Sequence, residues 1–139
     1  MQSPRGVFLL TVLILFLSGC SMHSDVAVAD RAVPQFHRLL DGGQFADIYA
    51  NAAPELTGAI AEPGFVALLG AVHRKLGSSV SAEKVNWAVN YHSSGTFVTL
   101  VYKTVYAGGE ASEQFVFRLH GEQAALAGYH ISSNALILN

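Results

Sequence analysis

Ser112-Glu113-Gln114-Phe115-Val116-Phe117-Arg118-Leu119-His120 decides the fold class. Phe115, Phe117 and Leu119 fall on one side of a two-residue repeat; Gln114, Arg118 and His120 fall on the other. Successive side chains of a strand point to opposite faces, so this segment buries one face and wets the other. Gly121-Glu122 lies in the turn that follows, and Ala124 to Ser133 is a further strand with Tyr129 and Ile131 on one face. A two-residue loop would set Phe115 opposite Gly128. A three-residue loop, Gly121-Glu122-Gln123, sets Phe115 opposite Tyr129, His130 opposite Gln114 and His120 opposite Ala124. The second register is preferred because it faces apolar on apolar.

Upstream the same period continues. Ala107-Gly108-Gly109 is a turn, and Thr96 to Tyr106 is a strand rich in β-branched and aromatic residues on both faces. It is expected to be the longest strand, central and covered on each side. Ser93-Ser94-Gly95 is another turn. Before it, Val85, Trp87, Val89 and Tyr91 alternate with Asn86, Ala88, Asn90 and His92, which predicts a half-buried strand beginning near Val80.

Further upstream the period is 3.6. Glu62 to Leu76 carries Phe65, Leu68, Leu69, Val72 and Leu76 on one stripe, with Pro63 in a first turn and Gly77 past the end. Gln44 to Ala52 is a short helix with Phe45, Ile48 and Tyr49 on one face, and Ala53 to Ala61 reads as a loop. Val26 to Leu40 is the first helix, with Val28, Ala32, Phe36, Leu39 and Leu40 as its stripe. Pro34 interrupts it, so the regular helix is expected to start near Asp30 or Ala32. Helices followed by four antiparallel strands predict an α+β domain, its N-terminal helices packed on a curved four-stranded sheet.

The chain has 139 residues and one cysteine. Val7 to Leu17 is an apolar run of 11 residues broken only by Thr11, behind Arg5. A membrane-spanning helix needs about 20 apolar residues; this run has the length of a signal peptide, and Ser18-Gly19 supply small residues at its end. Leu17-Ser18-Gly19-Cys20 resembles the lipobox of bacterial lipoproteins. The resemblance implies cleavage before Cys20, lipidation of Cys20 with acyl chains such as palmitate, and membrane attachment. Ser21, where an inner-membrane lipoprotein carries Asp, implies the outer membrane with the domain facing the periplasm. The expected organisation is a signal peptide over 1–19, the lipidated Cys and a short tether over 20–25, and one domain over 26–139. Losing Arg5 with the lead takes the formal charge from −2 to −3. No Lys/Arg stripe is present, which argues against a nucleic-acid partner. With one Cys the domain has no internal disulfide and relies on packing.

Phe36 to Phe45, Phe65 to Gly77, Tyr102 to Tyr106, Glu113 to Phe117 and Ala127 to Ser133 resemble uncharacterised bacterial envelope proteins of the cystatin-like or nuclear-transport-factor-2-like cone folds. The resemblance spans about Ala32 to Leu136. It implies a fold and carries no established activity.

Six histidines, His23, His37, His73, His92, His120 and His130, lack close metal-binding spacing, so no metal site is expected, nor any cofactor. No Gly-x-Ser-x-Gly elbow or phosphate-binding glycine loop is present. Cone folds include isomerases and dehydratases that use one carboxylate or His beside Tyr hydroxyls; the resemblance makes Glu113, His130, Tyr102 and Tyr129 the candidates for such acid–base work. A curved sheet also suggests an apolar cavity, for which Trp87, Tyr102, Glu113, Phe115, Tyr129 and His130 are the candidate ligand-binding residues. The expected function is a non-catalytic, lipid-anchored envelope protein that binds a protein partner or a small apolar ligand. The alternatives are a small acid–base enzyme and a subunit of a larger envelope complex.

Overall fold

The computed structural model describes residues 18–138. Helix α1 (Ser18–Asp41) is followed by α2 (Phe45–Ala50), α3 (Pro54–Ala59) and α4 (Glu62–Leu76). Strands β1 (Ser79–His92), β2 (Gly95–Tyr106), β3 (Gly109–His120) and β4 (Gln123–Ser132) then form an antiparallel sheet in sequence order, and α5 (Asn134–Leu138) closes the chain. The expected α+β architecture is observed: a curved, open sheet with α1 packed against it.

One face of the sheet makes the core. Val98, Leu100, Tyr102, Thr104 and Tyr106 of β2 alternate inward, beside Ala111, Glu113, Phe115 and Phe117 of β3. From above, α1 contributes Val26, Ala29, Val33, Phe36 and Leu40, spaced three and four residues apart, and α4 contributes Phe65, Leu69, Val72 and Leu76. The α1 stripe is turned relative to the expected one: Ala32 and Leu39 sit at its flank, half-buried. Leu68 of α4 is exposed rather than part of the stripe.

The expected tether over 20–25 is helical, and α1 runs unbroken through Pro34. Proline cannot donate to the carbonyl four residues back, that of Asp30, at a cost of about 3 kcal/mol. Tertiary ties offset it. Asp30 accepts from Lys84 Nζ and from Tyr102 Oη (2.8 Å), Asp25 from Tyr91 Oη (3.0 Å), and Asp41 from Ser79 N and Oγ (2.9 and 2.7 Å). These aspartates tie α1 to β1 and β2. Of the expected lead peptide, residues 1–17 lie outside the described residues.

The expected loop over 53–61 contains α3. Pro54 starts it, Leu56 is buried, and Tyr49 Oη donates to the carbonyls of Thr57 (3.3 Å) and Ile60 (2.9 Å). Helix α4 has the expected bounds and ends at Gly77, whose φ of 71° favours glycine. Gly108 N donates to Leu76 O (2.7 Å), and a Cβ on Gly108 would lie 2.8 Å from Lys75 O, so only glycine lets this turn pass the end of α4.

Strand β1, not β2, is the longest, and it is an exposed edge rather than a half-buried strand. Register shifts at Val80 and Val85 disturb its alternation, and Val80, Val85, Trp87 and Tyr91 are exposed. Strand β2 is interior but covered on one face only; Thr99, Val101 and Val105 on the other are half-buried. Phe115 does pair with Tyr129, and Gln114 with His130, but the loop has two residues, with His120 opposite Gln123. A register shift at Ala127 reconciles the two, because an extra residue in β4 restores apolar pairing after a tight turn.

Candidate functional site

The described residue with the most unusual environment is Glu113. It faces the core from β3, with no solvent exposure. A buried carboxylate is costly unless its oxygens are satisfied. Here four donors converge on it. Tyr106 Oη and Tyr129 Oη each donate to Oε1 at 2.6 Å. Thr104 Oγ1 donates to Oε2 at 2.5 Å, and His37 Nε2 meets the same oxygen at 2.8 Å. A carboxylate only accepts, so Nε2 carries the hydrogen of that bond.

The sheet places three of these donors. Glu113 pairs with Tyr102 on one side and Ile131 on the other, so Thr104 and Tyr129 are its diagonal neighbours on the same face. Tyr106 reaches back along β2. The fourth donor comes from α1, where His37 sits beside Phe36 on the buried stripe. The Phe36 ring packs at a tilt on Tyr129 (4.8 Å between centroids) and edge-on to Phe115 (5.1 Å), fixing the helix over the carboxylate.

Desolvation pushes the Glu113 carboxyl toward the neutral form. The His37 hydrogen bond and charge, with the Thr104 and Tyr106 hydroxyls, outweigh it and hold the carboxyl below its ordinary range. The group is therefore an ionised acceptor at neutral pH. Burial and the Glu113 charge raise Tyr106 and Tyr129 far above the ordinary phenol range. They stay protonated and donate to Glu113.

The other sequence-derived candidates are distributed around this network. Phe115 is fully buried, 5.3 Å from the Tyr129 ring, 6.0 Å from Tyr102 and 5.9 Å from the stacked Phe117. Tyr102 is buried and donates to Asp30; burial and that carboxylate raise its phenol. Glu113, Phe115, Tyr102 and Tyr129 thus come together. Trp87 stands apart on β1, 40 % exposed, with its ring 6.1 Å from His23. His130 is exposed on the opposite sheet face, across from Gln114. Reasoning from sequence missed His37, Thr104 and Tyr106 as members. Thr104 and Tyr106 share the parity of Tyr102, and His37 lies four residues after Val33 and three before Leu40, the spacing of a core face.

His37 also lines an open groove of about 420 Å³ between α1 and the start of β1, with Arg38, Asp41, Ser79 and Tyr102. A second open groove, of about 710 Å³, lies between Val85, Lys103 and Glu110 and the segment after β4. Among the described residues, no three His, Cys, Asp or Glu side chains are grouped to hold a metal ion. No protein-family model matches the chain, and no relative is found among curated proteins.

Proposed function

We propose that this chain is a lipid-anchored bacterial envelope protein whose domain binds a protein partner and does not catalyse a reaction. Acyl chains on Cys20 hold it at the outer membrane, with the domain in the periplasm. The observation that carries the anchor is the sole cysteine, exposed and placed directly after Leu17-Ser18-Gly19 behind an 11-residue apolar run. Several acyl chains give stable attachment where one gives only marginal binding.

Two features support binding over catalysis. Four donors occupy Glu113, the one deeply buried carboxylate among the described residues, which leaves it no free lone pair directed at a substrate. Of the rings that suggest a ligand cavity, Tyr102, Phe115 and Tyr129 pack together instead, which favours a surface partner over an enclosed apolar ligand.

Fractionation of cells tests the anchor. The wild-type protein is expected in the outer-membrane fraction, and Cys20→Ser in a membrane fraction as uncleaved precursor or in the soluble periplasm. Equal distribution and equal size of the two proteins would refute it.

One observation favours an acid–base enzyme as the second reading: His37 touches both Glu113 and an open groove. In that reading Glu113 orients His37, and the groove receives the substrate. Loss of a measured turnover in His37→Gln, with the fold intact, would select it.

A further inference from the structure

We propose that Met22, Trp87 and Tyr91 form the surface by which the domain lies against a lipid bilayer, beside the acyl chains on Cys20. This rests on the anchor reading above and adds to it an orientation.

Helix α1 is continuous from the anchor into the domain. Cys20 is not joined to the domain by a loose tether; it lies in the same helix that packs across the sheet as far as Asp41. The helical residues after Cys20 are tied to β1. Tyr91 Oη donates to Asp25 at 3.0 Å and also bonds the side chain of Ser21, the neighbour of Cys20. The His23 ring sits edge-on to Trp87 at 6.1 Å. His23 is three residues from Cys20, about 4.5 Å along a helix axis. The anchor point and these two aromatic side chains therefore share one corner of the molecule, and acyl chains on Cys20 bring that corner to the bilayer.

The exposed side chains of the corner suit that position. Met22 is 38 %, Trp87 40 % and Tyr91 55 % exposed. Exposed apolar side chains gathered at one corner mark an interaction site. Trp and Tyr are the residues that concentrate at the headgroup level, where an amphipathic ring meets both apolar and polar surroundings. The Tyr91 hydroxyl and Asp25 supply the polar side, and Met22 and the indole the apolar side.

Trp87 is the only tryptophan, so the protein carries its own reporter. The full-length protein, purified with its lipid from membranes, would be reconstituted into phosphatidylcholine vesicles containing lipids brominated at shallow or deep acyl positions. Trp87 emission should shift to shorter wavelength on reconstitution and be quenched most by the shallow bromines. A second variant, Trp87→Phe with Val80→Trp, moves the reporter about 23 Å along β1, at 3.3 Å per residue. Val80 is 70 % exposed, and emission from the new reporter should be neither shifted nor quenched. Vesicle flotation separates orientation from anchorage. Protein that floats with unquenched Trp87 would overturn the orientation and leave the anchor standing. Protein that does not float would overturn both. Equal quenching at the two positions would also overturn the orientation.

Discussion

Replacing Glu113 by Gln keeps the shape of the side chain and removes its charge. In the wild type, four donors reach the carboxylate at 2.5–2.8 Å. A hydrogen bond to a charged partner contributes about 1.5–3 kcal/mol net, and a neutral one about 0.5–1.5 kcal/mol. Losing charge assistance in four bonds at about 1 kcal/mol each gives about 4 kcal/mol. The amide nitrogen also turns its two N–H groups toward two of the donors, and rotation of the Thr104 or tyrosine hydroxyls relieves part of that conflict. Removing the buried charge also removes its desolvation cost, which offsets part of this, so the expected loss is about 2–4 kcal/mol, read as a lower urea midpoint at unchanged slope by circular dichroism. The pH dependence has a definite sign. The folded carboxyl titrates below the ordinary glutamate value of 4.5. Its stabilisation is therefore complete above about pH 4.5 and is lost as pH falls through the folded value. The gap between wild type and Glu113→Gln should narrow as the solution is acidified below that point. A variant within about 0.5 kcal/mol of wild type at neutral pH, the scatter of ordinary surface changes, would refute the network's role. So would a gap that does not narrow in acid.

Other substitutions separate packing from surface. Phe115→Ala should cost about 3–5 kcal/mol in the same unfolding assay, while His130→Ala, on the exposed face, should stay within about 0.5 kcal/mol. Gly108→Ala forces a methyl to 2.8 Å from Lys75 O, a backbone atom, and should lower stability by about 1–3 kcal/mol. Gly58→Ala, in α3 with nothing within 4 Å of the added methyl, should leave stability unchanged or raise it by up to about 1 kcal/mol; thermal unfolding ranks the two.

Local pattern carried most of the fold. The limits of α4 follow from Pro63 at its start, Gly77 at its end and an apolar stripe between, all within one segment. The pairing of Phe115 with Tyr129 follows from matching apolar faces, although the tight Gly121-Glu122 turn needs a bulge at Ala127 that no local signal marks. Pro34 is a local argument for a break, and it fails because Asp25, Asp30 and Asp41 tie the helix on both sides of it to distant strands. Trp87 and Tyr91 alternate as a half-buried strand would, yet β1 is an edge, and edge position depends on topology. The site was half legible. Glu113 stands out as a carboxylate on the same parity as Phe115 and Phe117. His37 lies 76 residues away in sequence, and only the docking of α1 brings it to that carboxylate.

Intact and peptide mass spectrometry of the protein extracted from bacterial membranes tests the central proposal most directly. The account predicts a mature chain whose first residue is Cys20, carrying the mass of its acyl chains. A membrane-extracted chain that retains residues 1–19 with an unmodified Cys20 thiol would contradict it.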